Sequence, residues 1–181
     1  MKQLTNPKTE NYFALKEYLL SSNIPWFYIE STTYDTDSPT DINIRNHVRE
    51  ENYCDVAYYS HSIVKPPGNP NLFPTQNSPY AELCGQVVLE IFNANNLNIN
   101  CILRLNANLS FPSSSIPTQP HTDHPFPHDN LLIYLTDSDG QTVAGEYRHS
   151  PKEDDVITFN GVHYHYLPTS GKRIVIVATY I

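Results

Sequence analysis

Two histidines and an aspartate sit where they could hold a metal ion. His121-Thr122-Asp123 lies in the run PTQPHTDHPF, and His163 and His165 follow in GVHYHYLP. In extended backbone, residues two apart face the same side, so His121 and Asp123 can reach one ion together. The third donor has to come from another strand. His163 and His165 share a face there, so either qualifies and one suffices. Two imidazoles and one carboxylate occupy one face of an octahedron and leave three positions open. That set suits non-haem Fe(II), which then binds O2 and a cosubstrate side by side. Downstream in SGKRIVIV, Arg173 is a fixed cation able to hold the far carboxylate of a keto-acid.

Groups so far apart in sequence need a frame of strands to bring them together. From Ile99 onward the chain is a series of short β-rich runs: INCILRLNANLSF, NLLIYLTD, QTVAGEYRH, DVITFN, VHYHYL and RIVIVATYI. Turn signals at Asp139-Gly140, Asn160-Gly161 and Ser170-Gly171 separate several of them. Two helices are legible before that. PKTENYFALKEYLLSS carries Phe13, Leu15, Tyr18 and Leu19 at the spacing of one buried face, and SPYAELCGQVVLEIFNANN carries Leu83, Val87, Val88 and Ile91. In the second, Ser78 reads as the N-cap with Pro79 in the first turn, and the run from Asn93 to Asn96 ends it. Between the helices, VAYYSHSIV reads as a strand, whereas the prolines of SIVKPPGNPNLFPTQNSP forbid regular pairing.

The expected fold is mainly β (α+β): a double-stranded β-helix, or jelly roll, with N-terminal helices packed against it. We read residues 1–181 as a single domain, with 1–98 as helical and loop support and 99–181 as the core. A net charge of -8 and the absence of any basic run argue against a nucleic-acid partner. Cys54, Cys84 and Cys101 show no CxxC spacing and read as free, buried thiols of a reducing compartment. No leader-like or membrane-length apolar stretch appears, so a cytoplasmic protein is expected.

Several motifs recur in a known order. Phe159-Asn160-Gly161 forms a turn, a histidine and Pro168 follow, and Gly171-Lys172-Arg173 opens the last strand. With the upstream His-x-Asp, the segment Cys101 to Ile181 resembles the 2-oxoglutarate/Fe(II)-dependent oxygenases. It is most similar to the prolyl-4-hydroxylase-type branch, including its small stand-alone microbial or phage-like members. The resemblance implies Fe(II), 2-oxoglutarate and O2, with ascorbate as a further requirement in some members. It implies a hydroxylation of a peptide or protein side chain, or of a small molecule, with succinate and CO2 as co-products. It places the distal ligand on His165, with His163 as the alternative. It puts the C5 carboxylate of 2-oxoglutarate on Arg173 and on Tyr134 of NLLIYLTDSDGQT, with Lys172 as the alternative cation, and the C1 side near Asn106 or Asn108.

The chain departs from the pattern in places. Thr136 stands where the family has Asn, and Gln141 interrupts a Gly-Gly pair. The family step from distal histidine to cation is longer than the eight residues from His165 to Arg173 and nearer the ten from His163. Two other readings compete: a cupin-type metalloenzyme that needs no keto-acid, and a non-catalytic jelly-roll binding protein. His124 and His128 are expected on an exposed loop near the mouth, His47 and His61 on the plain surface, and Arg104 in a salt bridge at the edge of the core. Tyr58, Tyr59 and the loop from Pro66 to Pro79 are expected to shape the entrance.

Overall fold

The computed structural model describes residues 1–31, 53–66, 73–113 and 115–181. Helix α1 spans Glu10–Leu20 and α2 spans Ala81–Ala94. The strands are β1 Lys2–Leu4, β2 Phe27–Ile29, β3 Tyr58–Lys65, β4 Thr75–Gln76, β5 Ile102–Ser110 and β6 Asp129–Tyr134. They continue as β7 Gln141–Ala144, β8 Tyr147–His149, β9 Val156–Asn160, β10 His163–Tyr166 and β11 Arg173–Tyr180. One eight-stranded sheet runs β1-β9-β6-β11-β5-β3-β2, with β4 beside β3, and a three-stranded sheet runs β10-β7-β8. This is the expected jelly-roll architecture, mainly β with two helices.

Strand parity decides what faces the cavity. In β5, Leu105, Ala107 and Leu109 join the main core, while Arg104, Asn106, Asn108 and Ser110 line the cavity on the other face. In β11, Ile174, Ile176, Ala178 and Tyr180 enter that same core, and Arg173, Val175 and Val177 face the cavity. The helices cover the core face: α1 buries Tyr12, Leu15, Lys16 and Leu19, and α2 buries Cys84, Val87, Val88, Ile91 and Phe92. The cavity therefore opens on the face of the large sheet away from the helices, against the small sheet.

Several local expectations need correction. Phe13 is half-exposed and Tyr12 takes its place in the core, because the buried stripe of α1 runs Tyr12, Leu15, Lys16, Leu19. Its charged member is tolerated because Lys16 pairs with Glu153 and Asp154. Helix α2 starts two residues later than its Ser78 signal suggests; Tyr80 is the N-cap, and the Ser78 hydroxyl instead meets His61 Nε2 at 3.0 Å. His61 is accordingly buried rather than on the surface, its Nδ1 3.1 Å from the Pro25 carbonyl. Thr75–Gln76 pairs with β3 despite the prolines around it. Of the three free cysteines only Cys84 is buried. His47 and most of the Pro66–Pro79 loop's centre lie outside the described residues. Among those described, no helix is long and apolar enough to cross a membrane.

Candidate metal centre

The His-x-Asp segment is not a full strand. His121 forms an isolated antiparallel bridge with His163, and the chain bends from Asp123 to Phe126. The bridge is closed by both backbone bonds, His121 N–H to His163 O at 2.9 Å and His163 N–H to His121 O at 3.0 Å. Below it, Thr118 N–H donates to His165 O at 2.8 Å and His165 N–H to the Thr118 hydroxyl at 3.0 Å. Residues 118–121 thus extend the small sheet along β10. Opposed residues of such a pair bring their side chains together, which is how two positions 42 apart in sequence, 121 and 163, come into contact.

Three imidazoles converge there. His121, His163 and His165 each offer a ring nitrogen within 4.8 Å of the others, the one such group among the described residues. Ring centres are 4.4 Å apart for His121–His163, 5.4 Å for His163–His165 and 6.2 Å for His121–His165. Each ring is turned by a bond at Nδ1: His121 to Gln119 O at 2.9 Å, His163 to Gly161 O at 3.3 Å, His165 to the Thr142 hydroxyl at 3.0 Å. Such bonds fix which nitrogen is free to ligate. Burial, reinforced by His121, pushes His163 down to about 4, and burial beside Arg173 pushes His165 well below the ordinary value. Both rings are therefore neutral at pH 7 and keep a lone pair for a metal.

Asp123 is not a member of that group but lies beside it, against His163. Its Oδ1 pairs with Arg104 Nη2, while Oδ2 is buried without a hydrogen-bond partner among the described residues, 3.6 Å from His163 Nε2. Burial alone would raise this carboxyl; Arg104, with His163 and His121, outweighs it and holds the group well below the usual carboxylate range. Arg104 does more than the core-edge role expected of it, since it grips the carboxylate at the centre of the site. Its signal was in the sequence: on β5 the positions Arg104, Asn106, Asn108 and Ser110 make one wholly polar face of a strand whose other face is apolar.

The remaining candidates line the same cavity of about 320 Å³. Arg173 is buried, with Nε and Nη1 unpartnered among the described residues. Tyr134 is fully buried, its hydroxyl 2.7 Å from Thr142 Oγ1, and burial pushes it up to about 12. Thr142, which the sequence did not single out, thereby links Tyr134 to His165. Asn106 and Asn108 line the wall; Asn108 accepts from the Ser60 hydroxyl at 2.9 Å, and the Asn106 carbonyl oxygen is buried without a partner. Tyr58 lines the cavity as well, whereas Tyr59 turns toward Tyr28 and Phe111. Lys172 does not line it, and it precedes the first residue of β11. His128 is buried rather than exposed, with Nδ1 on the Phe126 carbonyl at 2.8 Å, and His124 is partly covered, with Nε2 on the Thr179 hydroxyl at 2.8 Å. Neither belongs to the imidazole group.

The residues fit a bound cation and a bound anion at separate points. A buried carboxylate oxygen without a donor, beside converging imidazoles, is a cation seat. A buried guanidinium with two unpartnered N–H groups is a carboxylate seat.

No protein-family model matches the chain, and no curated protein is recognisably similar to it in sequence. Among solved structures, an oxidoreductase of the 2OG-Fe(II) oxygenase family from Burkholderia pseudomallei overlays with a TM-score of 0.62 at 13% identity, covering 94% of this chain and 79% of that one. A viral collagen prolyl hydroxylase from Paramecium bursaria Chlorella virus-1, solved with 2OG, aligns over 86% of this chain and 96% of its own at 14% identity, with a TM-score of 0.47. A prolyl hydroxylase from Trichoplax adhaerens, solved with a hypoxia-inducible-factor peptide, aligns over 97% and 94% at 13% identity, with a TM-score of 0.45. The first overlay shows that the chain has an oxygenase-type jelly-roll fold, as its motifs implied. The two prolyl hydroxylases overlay too loosely to add to that.

Proposed function

We propose that this protein is an Fe(II)- and 2-oxoglutarate-dependent oxygenase. It would hydroxylate a peptide or protein side chain, or a small molecule, with succinate and CO2 as co-products. One observation carries the reading. The same cavity holds an unpartnered carboxylate oxygen on Asp123 beside converging imidazoles and an unpartnered guanidinium on Arg173. A metal satisfies the first and a keto-acid carboxylate the second.

His121 and Asp123 are the first two ligands in this reading, as the sequence suggests. Between His163 and His165, the geometry favours His163 as the third: it is the bridge partner of His121, and its Nε2 faces Asp123 Oδ2 at 3.6 Å. It also stands ten residues before Arg173. Arg104 holds Asp123 ionised and occupies its second oxygen, which leaves one oxygen for the ion. Arg173 and the Tyr134 hydroxyl take the C5 carboxylate. Asn106, with a free carbonyl oxygen, and Asn108 line the wall where the C1 end or the substrate would lie. Bound iron would supply activation of O2, coupled to oxidative decarboxylation of the keto-acid. The protein's part is to orient both partners in a largely buried cavity. Free cysteines suit a reducing, cytoplasmic setting in which Fe(II) persists.

Anaerobic Fe(II) titration with and without 2-oxoglutarate tests this. The expected result is a weak visible charge-transfer band that needs both components. Iron binding without any response to 2-oxoglutarate would point instead to a cupin-type centre, and absence of iron binding would defeat the proposal.

A further inference from the structure

Three imidazoles converge, with Asp123 beside His163, although a two-histidine, one-carboxylate triad uses only two of the rings, and His165 is the one left over. Its ring lies on the same face of β10 as His163, with a nitrogen inside the same 4.8 Å group. The ring separations are informative. With metal–nitrogen bonds near 2.1 Å, imidazoles on adjacent octahedral positions have centres about 4.5 Å apart, and on opposite positions about 6.4 Å. His121 and His163, at 4.4 Å, match adjacent positions; His121 and His165, at 6.2 Å, match opposite ones. His163 and His165, at 5.4 Å, lie between the two values. His165 thus faces the side that the triad would leave open.

What holds it there is part of the carboxylate seat. Thr142 Oγ1 lies 3.0 Å from His165 Nδ1 and 2.7 Å from the Tyr134 hydroxyl. Tyr134 and Arg173 form the anchor proposed for the cosubstrate. A carboxylate arriving on Tyr134 competes for the hydroxyl that now steadies Thr142, and through Thr142 it loosens the grip on His165. Counting positions gives the same coupling. His121, Asp123, His163 and His165 would leave two sites on an octahedral ion, and a chelating keto-acid needs two. O2 then finds no site unless His165 has let go.

We infer that His165 is a third imidazole ligand of the metal in the cosubstrate-free protein, displaced when a keto-acid binds. This rests on the oxygenase reading. The keto-acid then fills the two positions that four protein donors leave, and release of His165 is what opens a position for O2 beside it.

The test counts nitrogens on Cu(II) bound to the full chain, by the ligand hyperfine structure of its EPR spectrum. The wild type should show three imidazole nitrogens alone and two after 2-oxoglutarate is added. His165→Phe should show two under both conditions, and its Cu(II) affinity without 2-oxoglutarate should fall by roughly tenfold or more, at least the loss that removing an outer-sphere partner causes. His165→Gln, which keeps a polar side chain beside Thr142, should give the same count if the phenylalanine variant fails to fold. Two nitrogens in the wild type without 2-oxoglutarate, whichever ring is missing, would overturn the inference and leave the oxygenase reading standing. A spectrum unchanged by His121→Ala would overturn both.

Discussion

Replacing Arg173 by methionine distinguishes an anchor for an anion from a cation that holds the fold together. Arg173 is 5% exposed, and its Nε and Nη1 find no hydrogen-bond partner among the described residues. An unpaired buried charge is a liability to the fold, and an apolar side chain of similar length is neutral or stabilising in its place. The Arg173→Met apoprotein should therefore melt at or above the wild-type temperature. Ligand binding should respond in the opposite way. Each charge-assisted hydrogen bond is worth about 1.5–3 kcal/mol, so losing two weakens 2-oxoglutarate by about 3–6 kcal/mol, or roughly 10²–10⁴-fold in Kd.

Thermal melting with Mn(II) bound reads this directly. A ligand at about 100 times its Kd adds about 2.7 kcal/mol, which for a chain of this size raises Tm by about 5–10 °C. The variant at the same ligand concentration would sit at or below its own Kd and shift by about 1 °C or less. Mn(II) affinity itself should be unchanged, because Arg173 is no ligand. A full 2-oxoglutarate shift in Arg173→Met would refute the anchor. So would an apoprotein Tm lower by about 6 °C or more, the mark of a structural cation worth about 3 kcal/mol.

Other substitutions probe neighbouring parts of the argument. Asp123→Ala should abolish metal binding and also destabilise the apoprotein by about 3 kcal/mol, since it strands Arg104; adding Arg104→Met should restore stability but not metal, as read by denaturant melts and Co(II) titration. Asp154→Ala should cost about 2 kcal/mol, because Asp154 joins Tyr12 and Lys16 of α1, and Lys8, to the turn before β9. Burial raises the Asp154 carboxyl, but Lys16, Tyr12 and Lys8 outweigh that and hold it at about 2. Its contribution is therefore complete above an unfolded value of about 3.9 and lost as pH falls through about 2, so the variant should lack that part of the wild type's acid sensitivity. Gly140→Ala should lower Tm by an amount equal to about 1–3 kcal/mol, because a Cβ there would stand 2.5 Å from the Tyr166 carbonyl oxygen, in backbone that cannot swing aside. Wild-type Tm in that variant would show that β10 tolerates displacement at its exit.

The legible parts of this chain were those with local causes. The runs that became β5, β6, β9 and β11 are rich in β-branched and aromatic residues and several are bounded by turn signals, and His-x-Asp sits just upstream of one of them. β1 and β2, three residues each, were missed because so short a run has no periodicity to detect. Long-range polar partners were invisible for a different reason. Lys16 and His61 look like surface residues by type, yet Lys16 pairs with Asp154 and His61 spans Pro25 and Ser78. Satisfied polar groups bury as readily as apolar ones, and satisfaction is a property of the fold. The same blindness hid Thr142, which matters only through partners on other strands.

Charge gives the clearest instance of that limit. The chain as a whole carries -8, which describes its surface and disfavours phosphate backbones. The cavity has the opposite sign. Asp123 is cancelled by Arg104, the buried imidazoles His163 and His165 are neutral, and Arg173 stands alone. A divalent metal adds two further positive charges to a space of low dielectric, so the next ligand must be an anion, and a dianionic keto-acid most nearly neutralises it. Metal and cosubstrate should then bind with mutual reinforcement, each raising the other's affinity by the same factor. The surface repels free dianions while the cavity demands one, so the demand is met only at a site where metal, Arg173 and Tyr134 act together. On the proposed oxygenase reading, selectivity for the cosubstrate would follow from that conjunction and not from any single residue.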